Sequence, residues 1–157
     1  MKVLVVLGDG GHSAEMLRLL ELLGPNYEYS YMMARSDAIS EGKITWKGPV
    51  YRVPSPLGKY ASYRNPILTI GPILRQLIVW CHVRPKAILS TGANIAVPIS
   101  VFGRLMGAKI IHVETGSRVY TMSSTGKLMY RIAHLFFVQW EPLQKDYPKA
   151  IYAGSLL

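Results

Sequence analysis

Acidic residues are scarce in this sequence: nine Asp and Glu stand against eighteen Lys and Arg, for a formal net charge of +9. A chain so short of negative charge points to acidic partners such as phosphates, anionic lipid headgroups or nucleic acid. Neither a Lys/Arg-dense arm nor an aromatic RNA-binding signature accompanies the basic residues, so nucleic acid is set aside. The single cysteine, Cys81, excludes an internal disulfide and any cysteine-based zinc cluster. Its neighbours Ile78, Val79 and Trp80 suggest a buried thiol rather than a nucleophile. Four histidines without matching carboxylate spacing make no metal site, and no Asp-x-Asp pair is available to carry a metal-bound nucleotide sugar. No metal and no cofactor is therefore expected. No stretch reaches about eighteen uninterrupted apolar residues, so no transmembrane helix is expected. The apolar run after Lys2 is too short for a signal peptide, so the chain is expected to stay in the cytoplasm.

What is present is alternation. With 157 residues, half of them apolar, the chain is expected to build one core and one domain over 1–157. Residues 3–7 form a continuous apolar run, the mark of a strand covered on both faces. A helix over 13–23 follows, with Ala14, Leu17 and Leu20 on its apolar face. Strands are expected at 27–34, 50–53, 87–90, 109–113 and 135–139, and helices at 67–83, 95–106 and 124–133. Strands alternating with helices imply an α/β, Rossmann-like, doubly wound parallel sheet, in which ligands bind beyond the carboxyl ends of the strands.

Three such ends carry chemistry. After the first strand, Gly8, Gly10 and Gly11 permit a tight turn and close approach of a ligand to the backbone. The helix that follows points its N-terminus at the same place, which suits a phosphate-bearing guest. The loop matches a dinucleotide fingerprint only in Gly8 and Gly10; Ser13 replaces the third glycine and no ribose-binding acid follows the second strand. An NADP-type site using Arg35 is the corresponding alternative. His12 is a titratable group at the mouth of the helix, either a general base or a residue that merely hydrogen-bonds the turn. Thr91, Gly92 and Asn94 form the second end. Glu114 and Arg118 lie in the third, where Glu114 either orients His12, binds a hydroxyl, or pairs with Arg118. Glu15 reads as a helix-dipole partner, and His82 and His134 as satisfied core or boundary residues.

Between the second strand and residue 66 the pattern loosens, and 54–60 is the segment expected to be most flexible. The helix over 67–83 has Arg75 and Gln76 as its strongly polar breaks and is flanked by Arg64 and Arg84. It reads either as a core helix or as a helix lying in a membrane interface, anchored by Arg64, Arg75, Trp80 and Arg84.

Five segments carry a resemblance to a known family. They are 8–17, from Gly8 through His12 to Leu17; 90–99, which holds Thr91, Gly92 and Asn94; 113–119, which holds Glu114 and Arg118; 124–128; and 135–140. In this order they resemble the acceptor-binding, membrane-anchoring subunit of the split UDP-N-acetylglucosamine transferase of asparagine-linked glycosylation. They are also similar to its bacterial relatives of the PssD type in exopolysaccharide synthesis. The resemblance covers almost the whole chain and implies the N-terminal half of a GT-B glycosyltransferase related to MurG. It implies a subunit inactive alone, joined to a donor-binding partner, that moves N-acetylglucosamine with inversion and without a metal to a polyprenyl-diphosphate-linked sugar. Applied to this sequence, it makes His12 the base and Glu114 its orienter or an acceptor ligand. Gly10, Gly11, Thr91, Gly92 and Asn94 become phosphate or acceptor contacts, and Arg118 joins the substrate-binding set. It also implies a peripheral position on the cytoplasmic face of the membrane. Eukaryotic members carry an N-terminal membrane helix not found here, and Asp9 stands where the family usually has a small hydroxyl residue. A non-catalytic scaffold that activates a partner is the alternative, and an NADP-binding oxidoreductase domain the more distant one.

Overall fold

The structure, a computed structural model, describes residues 1–8, 10–55 and 66–156, the side chains of 66–69 aside. In chain order the elements are β1 (Lys2–Leu7), α1 (Gly11–Leu23), β2 (Glu28–Ala34), β3 (Val50–Val53), α2 (Pro66–Val83), β4 (Ala87–Ser90) and α3 (Ala96–Leu105). They continue with β5 (Lys109–Val113), α4 (Ser124–Ile132), β6 (Leu135–Val138), α5 (Glu141–Asp146) and β7 (Ile151–Tyr152). Among the described residues all seven strands join one parallel sheet in the order β3-β2-β1-β4-β5-β6-β7. The chain thus starts in the middle of the sheet and winds outward in both directions, the doubly wound arrangement that the alternation predicts.

β1 is apolar along its length because it has a core on either side. Val3, Val5 and Leu7 pack with Met16, Leu17 and Leu20 of α1. Leu4 and Val6 face the opposite layer, where Val79 and Val83 of α2, Ile99 of α3, Met129 of α4 and Leu143 of α5 meet. α3 comes close to the sheet at Gly103, where a Cβ would lie 2.4 Å from Ile88 Cδ1.

The two layers are unequal. α1 covers one face over β1 and β2, and beyond it an apolar groove of about 420 Å³ stays open, lined in part by Leu22, Leu23, Leu89, Ile111, Phe137 and Leu156. α2 is amphipathic in an unusual sense. Gln76, Val79 and Val83 are buried, whereas Ile70, Leu74 and Ile78 are more than half exposed at successive turns. One side of the helix thus packs as core, and the other is exposed. Cys81, expected to be buried, lies on the outward side and is exposed, because the helix turns its apolar residues both ways and apolar neighbours in sequence do not imply burial. α5 was not foreseen: at six residues, with Pro142 in its first turn, it is too short for a periodic pattern. Most of the segment expected to be flexible, residues 56–60 of 54–60, lies outside the described residues, as do Arg64 and Asp9.

Candidate functional site

The cleft at the carboxyl ends of β1 and β4 has a volume of about 250 Å³ and is lined by Gly8, His12, Ala34, Gly92, Ala93, Asn94, Ile95 and Thr125. Its floor is the turn from β1 into α1. Gly10, with φ 63°, occupies the left-handed region just before the helix and gives it no side-chain cap. The turn is instead braced from within the fold. Ser13 Oγ donates to the Gly8 carbonyl and lies 3.4 Å from Asp37 Oδ2. Asp37 itself accepts from the amides of Ile39 and Ser40. Burial pushes the Asp37 carboxyl up, but these hydrogen bonds outweigh it and hold the group below its ordinary value. Thr91 is buried and its Oγ1 donates to the His12 carbonyl at 2.7 Å, so β4 fixes the backbone of the first helical turn.

His12 sits in a slot made by two glycines. A Cβ on Gly8 would lie 2.8 Å from His12 Cβ, and one on Gly92 would lie 3.0 and 3.1 Å from the ring atoms Cε1 and Nδ1. The ring is thus pressed edgewise onto the Gly92 backbone, at φ 97°. Its Nδ1 is buried and has no hydrogen-bond partner among the described residues. Nε2 is the nitrogen farther from Gly92. The half-buried ring lines the cleft, so Nε2 is the atom placed to exchange a proton with a guest there.

Glu114 is fully buried at the end of β5. It packs on the first turn of α4 so closely that a Cβ on Gly126 would fall 1.5 Å from its Oε2. Gly126 is thereby explained, since no other residue leaves room for the carboxyl. Burial raises the Glu114 pKa. The Ser123 hydroxyl, the amides of Ser123 and Thr115, and a charged His12 act the other way. Among the described residues no hydrogen bond of normal geometry reaches either carboxyl oxygen. Ser123 uses its own oxygen to cap α4, accepting from the Gly126 amide at 2.8 Å. Two residues back on the same side of β5, His112 is also fully buried, with Nδ1 2.8 Å from Ser90 Oγ and Nε2 unpartnered among the described residues. Burial, and then the positive charge of a protonated His12, drive its pKa down to about 3.

The proposed pairings of Glu114 resolve as follows. Among the described residues Glu114 makes no ion pair with Arg118, which is exposed on the exit loop, and no hydrogen bond joins it to His12. Gly10 and Gly11 are exposed at the start of α1, and Asn94 lies in the cleft 3.4 Å from Ser55 Oγ. Arg75 and Arg84 are exposed on α2 and just after it, whereas Trp80 turns inward, its ring 5.2 Å from that of Phe102. His82 and His134 are exposed boundary residues, bonded at Nδ1 to the Ile78 carbonyl and the Ile110 amide. Sequence reasoning gave no role to Ser90, His112 or Gly126, and it read Glu15 as a helix-dipole partner without a side-chain contact. Glu15 reaches across to the loop after β5, where its Oε1 accepts from Thr115 Oγ1 and the Gly116 amide.

Similarity to known proteins agrees with this geometry. The chain matches, over residues 3–156, the family model described as oligosaccharide biosynthesis protein Alg14 like. It is 31% identical over 180 residues to the human UDP-N-acetylglucosamine transferase subunit ALG14, covering all of this chain and 83% of that one. It is 28% identical to the Saccharomyces cerevisiae protein of the same description, covering 100% and 77%. Among solved structures, Acinetobacter baumannii MurG superposes with a TM-score of 0.72 at 15% identity, over 90% of this chain and 42% of that one. The UDP-GlcNAc 2-epimerase of Neisseria meningitidis, bound to UDP-GlcNAc, gives 0.70 at 14% identity, over 99% and 47%. The chain therefore spans a little under half the length of these two proteins and shares their fold. With the match running through β1, the glycine turn, β4, β5 and α4, the chain belongs to the Alg14-like family of oligosaccharide biosynthesis proteins.

Proposed function

We propose that this chain is the acceptor-binding subunit of a two-component glycosyltransferase. Joined to a donor-binding subunit, it transfers N-acetylglucosamine from UDP-N-acetylglucosamine to a polyprenyl-diphosphate-linked sugar. The observation that carries this reading is the His12 imidazole, held in the Gly8 and Gly92 slot with Nε2 toward the cleft. The names of the relatives, transferase subunits with UDP-N-acetylglucosamine as donor, supply the chemistry.

In the reaction the acceptor hydroxyl gives its proton to His12 Nε2 as its oxygen attacks C1 of the sugar. The new C1–O bond forms on the face opposite the departing UDP, which leaves with the bonding pair, so the configuration at C1 inverts. A positioned base of this kind contributes roughly 10² to 10⁴ in rate. The acceptor diphosphate lies against Gly10, Gly11 and the N-terminus of α1, with Thr91, Gly92 and Asn94 at the side and Arg118 on the rim. The open apolar groove beside α1 offers the partner subunit a surface to cover.

The acceptor's lipid tail stays in the bilayer while its diphosphate reaches the cleft, which requires a peripheral position on the cytoplasmic face. Among the described residues no helix is long and apolar enough to cross a membrane. Ile70, Leu74 and Ile78 of α2, with Val101 and Leu105 of the neighbouring α3, form exposed apolar stripes suited to an interface. Arg75 and Arg84 flank them, and each basic group adds about 1 kcal/mol near an anionic surface. Flotation with anionic liposomes should be reduced by Leu74→Ser and by high salt. Equal and negligible flotation in every condition would leave recruitment to another protein.

A scaffold role remains the second reading, because among the described residues no acceptor meets His12 Nδ1 to hold the ring in its basic tautomer. The test mixes the purified chain with the donor-binding subunit, UDP-N-acetylglucosamine and a short polyprenyl-diphosphate-linked N-acetylglucosamine. Transfer is expected from the mixture and from neither protein alone. Turnover by the partner alone at the full rate would favour the scaffold; turnover by this chain alone would overturn the split.

A further inference from the structure

Residues 114–118 form no regular secondary structure, yet the loop is tied down on several sides. The Glu114 amide donates to the Phe137 carbonyl at 2.8 Å and the Arg118 amide to the Thr115 carbonyl at 3.1 Å. From the end of β6, Gln139 Nε2 donates to the Glu114 carbonyl at 3.1 Å and Trp140 Nε1 to the Gly116 carbonyl at 2.6 Å. On the other side stands Glu15. Its Oε1 accepts from Thr115 Oγ1 at 3.0 Å and from the Gly116 amide at 2.9 Å, across 100 and 101 residues of sequence. Among the described residues, Glu15 alone joins this loop to α1 by hydrogen bonds.

A buried carboxylate is a costly way to hold a loop if stability is all that is required, since a well-packed apolar side chain would serve as well or better. Glu15 is only 6% exposed, and among the described residues its second oxygen has no hydrogen-bond partner. What the carboxylate adds over an apolar side chain is direction. Two donors converge on one oxygen, and they fix the backbone of Thr115 and Gly116 relative to the helix that carries His12 one turn earlier. Glu114, immediately before Thr115, is thereby held at a set distance from the imidazole, close enough for a charged His12 to act on its carboxyl.

We infer that Glu15 is a positioning residue, which registers the loop bearing Glu114 against the first turn of α1 and so against His12. Its effect on turnover rests on the transferase reading above; its effect on the loop does not. A misplacement of about 1 Å in such a constellation is enough to cost on the order of 10²-fold in rate.

The test compares wild type, Glu15→Gln, Glu15→Ala and Thr115→Val, each assayed with the donor-binding subunit on the same short polyprenyl-diphosphate-linked N-acetylglucosamine and, as the full chain, by NMR. Glu15→Gln keeps an acceptor oxygen and should retain kcat within about threefold. Glu15→Ala should lower kcat by roughly ten- to a hundredfold with KM for UDP-N-acetylglucosamine little changed. Thr115→Val, which deletes one of the two bonds to Glu15 together with the contacts of Thr115 Oγ1 to the Ser117 amide and hydroxyl, should fall between them. The Gly116 amide proton should move upfield in Glu15→Ala and stay in place in Glu15→Gln. Full kcat in Glu15→Ala, a Glu15→Gln enzyme as impaired as Glu15→Ala, or an unmoved Gly116 amide would each overturn the inference. A wild-type complex that transfers nothing overturns the transferase reading instead, and the Gly116 amide then decides the role of Glu15.

Discussion

His12 and Glu114 are neighbours at the carboxyl edge of one sheet, and they are built in opposite ways. His12 stands at the start of a helix, half-exposed, in a slot shaped by the absence of side chains at Gly8 and Gly92. Glu114 stands at the end of a strand, fully buried, its carboxyl pressed onto the Gly126 backbone and its loop pinned by Glu15, Gln139 and Trp140. A guest in the cleft can reach the first group but not the second. In the proposed reading the imidazole, which lines the cleft, is the proton acceptor, and the carboxyl acts from behind it.

The comparison breaks most readily at the packing around each group. Gly126→Ala would place a methyl where the Glu114 carboxyl is, and overpacking of this kind costs about 1–3 kcal/mol or more. A large fall in melting temperature is expected, with partial recovery in Gly126→Ala/Glu114→Ala; a melting temperature within error of wild type would mean that Glu114 packs elsewhere. Gly92→Ala tests the other slot. It strains a backbone at φ 97° and crowds the imidazole ring. It should lower kcat by about tenfold or more, with the larger part of the loss in kcat rather than KM. Unchanged kinetics would show that the ring is not held by that glycine.

Acid stability sharpens the contrast between the buried pair and the open histidine. His112 has its pKa lowered to about 3 in the folded chain from 6.5, so between these values the unfolded state binds a proton that the folded state refuses. Stability is full above about pH 6.5 and falls as the pH drops, by up to about 1.4 kcal/mol per pH unit. Glu114, whose pKa is raised, opposes this in its own window: its contribution is fully present below 4.5 and is lost as the pH rises. Denaturant melts from pH 7 to pH 4 should show the loss in wild type and a shallower slope in the Ser90→Ala/His112→Phe double variant. A wild-type slope in that variant would place the acid sensitivity elsewhere.

The smallest effect on turnover is expected at Gln76, fully buried in α2 with neither amide atom hydrogen-bonded among the described residues. Gln76→Met should stabilise the chain by about 1–3 kcal/mol, the penalty of leaving a buried polar group unpaired, without changing turnover. A loss of turnover would give Gln76 a place in the site.

Most of the sheet was legible in the sequence because β1, β4, β5 and β6 are short, mostly apolar runs between helical patterns; the two-residue β7 was not foreseen. β3, β4 and β5 fall at the expected residues, and α1, α2, α3 and α4 differ by a residue or two at their ends. The convergence of Gly8, Thr91 and Glu114 followed from topology alone. Long-range partners were not legible. Nothing local in Glu15 announces an acceptor for Thr115 and Gly116, nor in Gln139 a donor to Glu114, because side chains 25 to 101 residues apart meet only when the sheet is wound. Burial of a single position on α2 was equally hidden: Cys81 and Gln76 exchange the places their chemistry suggests, the thiol outside and the amide inside.

The most direct measurement is turnover of the reconstituted complex with His12→Ala, alongside a binding assay for the donor-binding subunit. A base in the Gly8 and Gly92 slot predicts unchanged complex formation and a kcat lower by roughly two to four orders of magnitude. A kcat within about threefold of wild type, with normal complex formation, would contradict it and leave this chain a scaffold.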